Sequence, residues 1–68
     1  MPLFNNLKSF RELHNISQSQ LGQLVGVSRQ TISSIERGDY HPSIVVALKI
    51  ASIFGTTVEN LFKYTEDI

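Results

Sequence analysis

The hydrophobic and polar positions of the chain form five short segments with the three- and four-residue spacing of amphipathic helices. The first is predicted to run from about Asn6 to His14, with Asn5 or Asn6 as its cap. Asn15 follows and can adopt the left-handed conformation that closes a helix. The apolar stripe of this helix is Leu7, Phe10 and Leu13. The pattern predicts an all-α fold.

The second and third helices are delimited by capping residues and glycines. Ser17 and Gln20 have the spacing of a capping box, which predicts the start of the second helix, and Gly26 ends it. Ser28 caps the third helix, and Gly38 ends that helix. The apolar positions predicted to face inward are Leu21, Leu24 and Val25 in the second helix, and Ile32 and Ile35 in the third.

The last two helices follow a loop that contains Pro42, because proline disfavours helical geometry in the residue before it. Ser43 caps a fourth helix, from Ile44 to Phe54, which Gly55 terminates. Thr56 or Thr57 caps a short fifth helix. Its apolar residues are Val58, Leu61 and Phe62.

The fourth helix has more apolar residues than one face can bury. One stripe, expected to face the core, is Ile44, Ala47, Leu48, Ala51 and Phe54. The second stripe is Val46, Ile50 and Ile53, and it is predicted to be an exposed dimer interface, since such patches usually mark partner surfaces. The alternative is a helix buried on all sides.

Length and composition support an oligomer. A domain of 68 residues buries about 60% of its unfolded surface, so its core provides modest stability. The chain has no cysteine, which excludes disulfides, thiolate zinc sites and cysteine nucleophiles. His14 and His41 have no second ligand at metal-binding spacing, so no metal or cofactor is expected. Association with a partner subunit is the expected reinforcement.

The net charge is zero but unevenly distributed. Residues 1–38 contain four basic and two acidic side chains, giving +2, and residues 39–68 contain two basic and four acidic ones, giving −2. Such a dipolar domain can present a positive face to phosphates. No apolar run reaches the roughly 20 residues of a membrane span, and no secretion signal is recognisable, so a cytoplasmic protein is expected.

The most informative stretch is residues 16–38, ISQSQLGQLVGVSRQTISSIERG. Two short helices joined by a tight glycine turn form a helix-turn-helix. The helices approach closely where they cross, which requires a small residue, and Gly22 stands there. Four residues later Gly26 provides the left-handed turn. Apolar residues stand at the positions that hold the pair together: Leu21, Val25, Val27, Ile32 and Ile35.

This stretch resembles the helix-turn-helix family of phage Cro and cI repressors and bacterial Xre-type regulators. Its length and the segment SRQTISSIE followed by HPS are similar to very small dimeric members. The resemblance implies one five-helix lambda-repressor-like domain over residues 1–68, with the motif at residues 17–37. It also allows a short two-stranded sheet between Leu3-Phe4 and the segment near Lys63-Tyr64. Many relatives have alanine in place of Gly22, and glycine within a helix costs about 1 kcal/mol relative to alanine.

The function implied by the resemblance is a sequence-specific double-stranded DNA-binding transcriptional regulator. It would act as a homodimeric repressor on an inverted-repeat operator and associate with the nucleoid when bound. No enzymatic activity is expected, because the serines have no histidine partner at motif spacing and the acids do not pair. No membrane association is expected, and no small-molecule ligand either, because the sequence shows no pocket-forming second domain. The alternative is a protein-interaction or antitoxin-like module with weak or no DNA binding, which the neutral charge keeps open.

Three residues of the third helix are predicted to contact bases, because its N-terminal part enters the major groove in this family. The amide of Gln30 can pair with adenine, and Arg29 suits guanine or, alternatively, a phosphate. Ser34 could reach a base edge or a thymine methyl, whereas Ser33 is left open. The resemblance also implies an ion pair between Arg11 and Glu36 that orients the third helix.

Other residues are predicted to contact phosphates. By its place in the family motif, Gln18 directs its side chain toward a phosphate and toward Gln30. Tyr40 could equally pack on the domain, and Ser43 is first of all a helix cap. The predicted phosphate contacts are Gln18, Ser28, Thr31, Tyr40, His41 and Ser43.

Overall fold

The computed structural model describes residues 3–64, which form five helices with a two-stranded antiparallel sheet at the ends of this range. The predicted all-α fold with a small terminal sheet is confirmed. In this range no helix has the length and apolar character needed to cross a membrane. In chain order the elements are β1 (Leu3–Asn5), α1 (Leu7–Leu13), α2 (Gln18–Val25), α3 (Arg29–Arg37), α4 (Ile44–Phe54), α5 (Val58–Leu61) and β2 (Phe62–Tyr64).

Side-chain caps start α2 to α5 where the sequence predicts them. Ser17 Oγ accepts a hydrogen bond from Gln20 N at 3.0 Å, and Gln20 Oε1 accepts from Ser17 N at 2.8 Å, which completes the capping box of α2. α1 begins differently, because Asn6 makes no side-chain cap and Asn5 Oδ1 accepts from Leu7 N instead. Ser28, Ser43 and Thr57 cap α3, α4 and α5.

The core lies among all five helices, and two predicted core positions lie outside it. Leu13 is 77% exposed and Leu24 is 58% exposed. Leu13 is six residues after Leu7, and each step of three residues changes the direction of the side chain by about 60° around the helix. Leu13 therefore points about 120° away from Leu7. In α2 the buried face is centred between Leu21 and Gly22, which leaves Leu24 at its edge. The buried residues are Leu7, Leu21, Val25, Ile32, Ile35, Ala47, Ile50, Ala51, Phe54 and Leu61.

The orientation of α4 corrects the predicted dimer interface. Ile50 is fully buried in the core, and Val46 and Ile53 are half-buried and pack against it. The stripe Val46, Ile50, Ile53 is therefore part of the domain interior and cannot be an exposed interface. Two residues predicted to be internal, Ile44 and Leu48, are exposed. Both stripes have helical spacing, and only the packing of α4 against the other helices distinguishes them.

The terminal sheet joins the two ends of the described chain. Leu3 pairs with Tyr64, Phe4 with Lys63, and Asn5 with Phe62. Phe62, predicted as part of the last helix, therefore lies in β2. Asn5 Nδ2 donates to the carbonyl oxygen of Ile35 at 2.9 Å, so the sheet also supports the C-terminal half of α3.

Candidate nucleic-acid interface

The turn between α2 and α3 depends on two glycines. Gly26 has a φ of 83°, in the left-handed region, and ends α2. The carbonyl oxygen of Gly22 accepts from Gly26 N at 2.8 Å and from Val27 N at 2.9 Å. A Cβ atom on Gly22 would lie 2.6 Å from the carbonyl oxygen of Val27, which is closer than van der Waals contact allows. The missing side chain thus lets the turn fold tightly against α2.

The outer face of α3 is polar and accessible. Ile32 and Ile35 are buried on the opposite face and fix the rotation of the helix. This rotation brings the three predicted base-contacting residues into one shallow cleft of about 400 Å³. The side chain of Gln30 makes no hydrogen bond to another described residue, so its amide is available to a partner. The cleft is lined by Arg29, Gln30, Ser33, Ser34 and Arg37.

An ion pair holds α3 to α1. Arg11 Nε lies 2.6 Å from Glu36 Oε2, and the two side chains are only 12% and 6% exposed. Arg11 also donates from Nη1 to the carbonyl oxygen of Ile16 at 3.0 Å. The hydrogen bond to Glu36 raises the pKa of Arg11 above its ordinary value, although burial opposes this shift. The predicted pair between Arg11 and Glu36 is present, and its burial makes it a structural element of the domain.

Gln18 extends this network to the start of α3. Its Nε2 donates to Glu36 Oε1 at 3.0 Å, and its Oε1 accepts from Arg29 Nη1 at 3.4 Å. The hydrogen bonds of the Gln18 side chain thus go to Glu36 and to Arg29, the neighbour of Gln30 in the chain. Since both polar atoms of the Gln18 amide are engaged within the protein, the residue links the ion pair to the exposed guanidinium of Arg29.

The predicted phosphate-contacting hydroxyls are at helix starts. Ser28 Oγ accepts from Thr31 N at 3.1 Å and lies 3.0 Å from Thr31 Oγ1, so this pair caps α3. Ser43 Oγ accepts from Val46 N at 3.2 Å in the same manner. Tyr40 and His41 are exposed in the loop between α3 and α4, where both can reach a partner. The side chain of Tyr40 is 51% exposed, so part of it is accessible to a partner.

Arg37 and Asp39 are two charged residues of this region that the sequence pattern alone does not select. Arg37 Nε lies 3.0 Å from Asp39 Oδ2, and its Nη2 donates to Ser34 Oγ at 3.3 Å. Its Nη1 donates to Ser33 Oγ. The signal in the sequence is the spacing of three and four residues between the serines and Arg37, which places them side by side on a helix.

The polar groups of this surface are of the kinds that form hydrogen bonds to an anionic polymer. Amide and guanidinium groups can pair with base edges, and hydroxyls and exposed arginines can donate to phosphate oxygens. Within residues 3–64, no His, Cys, Asp and Glu side chains are grouped so that they could hold a metal ion.

Comparison with known proteins agrees with this geometry. The family profile described as Helix-turn-helix matches residues 7–61. An HTH-type transcriptional regulator of Methanocaldococcus jannaschii is 51% identical over 63 residues, which cover 93% of this chain and 96% of that protein.

Two solved structures are similar in fold and size. The P22 c2 repressor in complex with a synthetic operator has a TM-score of 0.75 and 28% identity, covering 78% of this chain and 80% of that one. The restriction-modification controller protein C.AhdI of Aeromonas hydrophila has a TM-score of 0.72 and 30% identity, covering 79% and 82%.

Proposed function

The chain belongs to the helix-turn-helix family of transcriptional regulators, which are non-enzymatic DNA-binding proteins, and we propose that it is a homodimeric repressor of a specific double-stranded operator. α3 is the recognition helix and enters the major groove. The motif spans residues 17–37, and the operator contains two inverted half-sites.

The observation that carries this proposal is the polar cleft on the outer face of α3. Arg29, Gln30 and Ser34 lie together there, with the apolar residues of the helix buried behind them. A recognition helix needs this division, because one face must anchor the helix while the other reads base edges. The P22 c2 repressor, whose fold is similar, was solved with operator DNA.

Within this proposal the contacts have two roles. Gln30 and Arg29 set the sequence preference, since bidentate groups distinguish base pairs in the major groove. Phosphate contacts set affinity and register, since phosphates repeat identically along DNA. The residues proposed for phosphates are Gln18, Ser28, Thr31, Tyr40, His41 and Ser43.

We place the dimer contact on the outer side of α4, now called the α4 face and defined as Ile44, Val45 and Leu48. These side chains are 70%, 56% and 55% exposed. The face adjoins a groove of about 640 Å³ between α4 and α5, which Ile44, Leu48 and Val58 help to line. A second copy of this chain is the occupant that a palindromic DNA site requires, because two-fold protein symmetry must match the symmetry of the half-sites.

A protein-interaction or antitoxin-like module is the second candidate, and the zero net charge favours it. A module that only binds proteins neutralises no DNA phosphates and releases no counterions from DNA, so it shows no steep salt dependence of DNA affinity.

The experiment that tests the proposal is selection of bound sites from a random double-stranded DNA pool, followed by titration of the selected site at several salt concentrations. We expect an enriched inverted repeat and a linear fall of log K with log salt. No enrichment and no salt-dependent affinity would exclude operator binding and favour the interaction module.

A further inference from the structure

Arg37 lies on the same face of α3 as the proposed base contacts but at the opposite end of the helix. It is eight residues after Arg29, which corresponds to about 12 Å along the helix axis. In the proposed binding mode the N-terminal end of α3 contacts base edges, so Arg37 lies toward the rim of the groove, where phosphates are. Its side chain is 58% exposed and folds back over Ser33 and Ser34.

The chain reversal after α3 brings a carboxylate to this arginine. Gly38 has a φ of 81°, and its N–H bonds to the carbonyl oxygen of Ile35 at 3.0 Å. Asp39 N donates to the carbonyl oxygen of Ser34 at 2.9 Å, so the backbone of Asp39 is fixed beside the last turn of the helix. The carboxylate of Asp39 is 65% exposed, on the side of the molecule that faces the proposed DNA.

We infer that Arg37 is a further DNA-phosphate contact and that Asp39 competes with the phosphate for it, so that this pair sets the strength of DNA binding without affecting sequence preference. This inference rests on the proposed function. The ion pair is too exposed to be a strong structural contact, and a phosphate can therefore replace the carboxylate. Asp39 then stands without its cation next to the DNA backbone, which repels it.

In the free protein, the guanidinium of Arg37 is also hydrogen-bonded to two serines of α3. The three donor nitrogens of the Arg37 guanidinium are shared among Ser33, Ser34 and Asp39. The guanidinium is therefore held against its own helix and Asp39, and a phosphate has to compete with these contacts.

The test is a salt titration of DNA binding by the full chain with three variants, on the selected operator and on unrelated duplex DNA. We expect Arg37→Gln to weaken both complexes by the same factor. It should also lower the slope of log K against log salt by about 0.9 for each phosphate that is no longer neutralised. Arg37→Lys should retain the slope, because it retains the charge. Asp39→Asn should strengthen both complexes.

Glu12→Gln is the matched control for Asp39→Asn, since it removes one exposed carboxylate from α1. It should change affinity less than Asp39→Asn does. Circular dichroism is used to check that each variant is folded, which we expect because glutamine at position 37 can still bond to the serines.

Two results would overturn the inference. One is an unchanged salt slope in Arg37→Gln while the wild type binds with a steep slope. The other is an equal effect of Asp39→Asn and Glu12→Gln. A wild type without any salt-dependent DNA affinity contradicts the proposed function itself, so the two failures can be told apart.

Discussion

Gln30 and Gln18 have the same side-chain chemistry but different surroundings in the fold. The amide of Gln18 is held by Glu36 and Arg29, whereas that of Gln30 projects into the cleft on α3. We expect Gln30→Ala to cost about 1–3 kcal/mol on the cognate site and to relax the preference at one position of each half-site. Gln18→Ala should weaken all sequences about equally. Site selection with both variants and the wild type measures the difference.

The Gln30 assignment is wrong if Gln30→Ala retains the full wild-type preference and only binds more weakly. Gln18→Ala is the control for removing an amide from the same surface. A change of sequence preference in Gln18→Ala would mean that Gln18 positions its hydrogen-bond partner Arg29 for contact with a base.

Gly22 is the residue at which helix propensity and packing oppose each other. Alanine is favoured over glycine in a helix by about 1 kcal/mol. However, its Cβ would lie 2.6 Å from a backbone carbonyl oxygen that cannot move freely. Overpacking costs typically 1–3 kcal/mol, so we expect Gly22→Ala to lower the free energy of unfolding. Chemical denaturation measures this.

The matched control is Gln23→Ala, which changes an exposed position of the same helix. It tests propensity without a steric contact and should leave stability within about 0.5 kcal/mol. If Gly22→Ala is instead more stable than the wild type, the turn relaxes more easily than the contact with Val27 implies.

The site residues show what the sequence can predict at this scale. Arg29, Gln30 and Ser34 can be selected because the capping pattern and the buried Ile32 and Ile35 determine which face of α3 is outside. The spacing of Arg37 from Ser33 and Ser34 places it on the same face, but its contact with Asp39 cannot be predicted from that pattern. That contact is formed only once Gly38 reverses the chain.

At the scale of elements, the Arg11–Glu36 pair is the polar contact that fixes α3 relative to α1. The pair is largely buried, and Glu36 also binds Gln18. We expect a double-mutant cycle with Arg11→Ala and Glu36→Ala to give a coupling energy above about 1 kcal/mol, within the range of about 0.5–3 kcal/mol that is usual for contacting residues. Denaturant unfolding of the four proteins provides the measurement.

The exposed pair Arg37–Asp39 provides the comparison within the same molecule. Its side chains are 58% and 65% exposed, and such pairs contribute about 0–1 kcal/mol. A cycle on this pair should give a coupling energy near zero. Equal coupling energies for the two pairs would show that burial is not what makes the Arg11–Glu36 contact strong.

The limits of the helices can be predicted more reliably than their orientations. Ile44–Phe54 is bounded by Ser43 and Gly55 as expected, because caps and left-handed glycines are local features. The prediction for the buried face of α4 is wrong in part. Apolar residues surround most of this helix, and the contacts that bury Ile50 come from elsewhere in the chain. The local sequence contains the capping residues that limit a helix, but it does not contain the long-range contacts that decide which face is buried.

For the whole molecule, the α4 face provides the means to test the dimer without disturbing the fold. Leu48 is 55% exposed, so Leu48→Glu places a charge where a monomer tolerates it and an apolar dimer contact does not. We expect this variant to sediment as a monomer at micromolar concentration, with an unchanged circular dichroism spectrum. Ile50 is not suitable for this purpose, because it is fully buried and we expect a charged substitution there to destabilise the domain itself.

Leu24→Glu is the matched control, because Leu24 is 58% exposed on α2, outside the α4 face. It introduces the same charge in place of the same type of residue, and its sedimentation coefficient should equal that of the wild type. A dimer that persists in Leu48→Glu, or one that both variants disrupt equally, would place the interface elsewhere. A wild type that is monomeric at this concentration would contradict the dimer itself.

The same variant connects assembly to the shape of the operator. Two recognition helices related by two-fold symmetry contact half-sites about 34–36 Å apart, one turn of DNA. When the subunits are joined, binding of the second half-site is intramolecular, which can increase overall affinity by about 10²–10⁴. We therefore expect Leu48→Glu to lose affinity for the full inverted repeat while binding a single half-site as the wild type does. Titration of both duplexes, with Leu24→Glu alongside, measures this. Equal losses on the two duplexes would show that Leu48 affects the reading surface instead of the assembly.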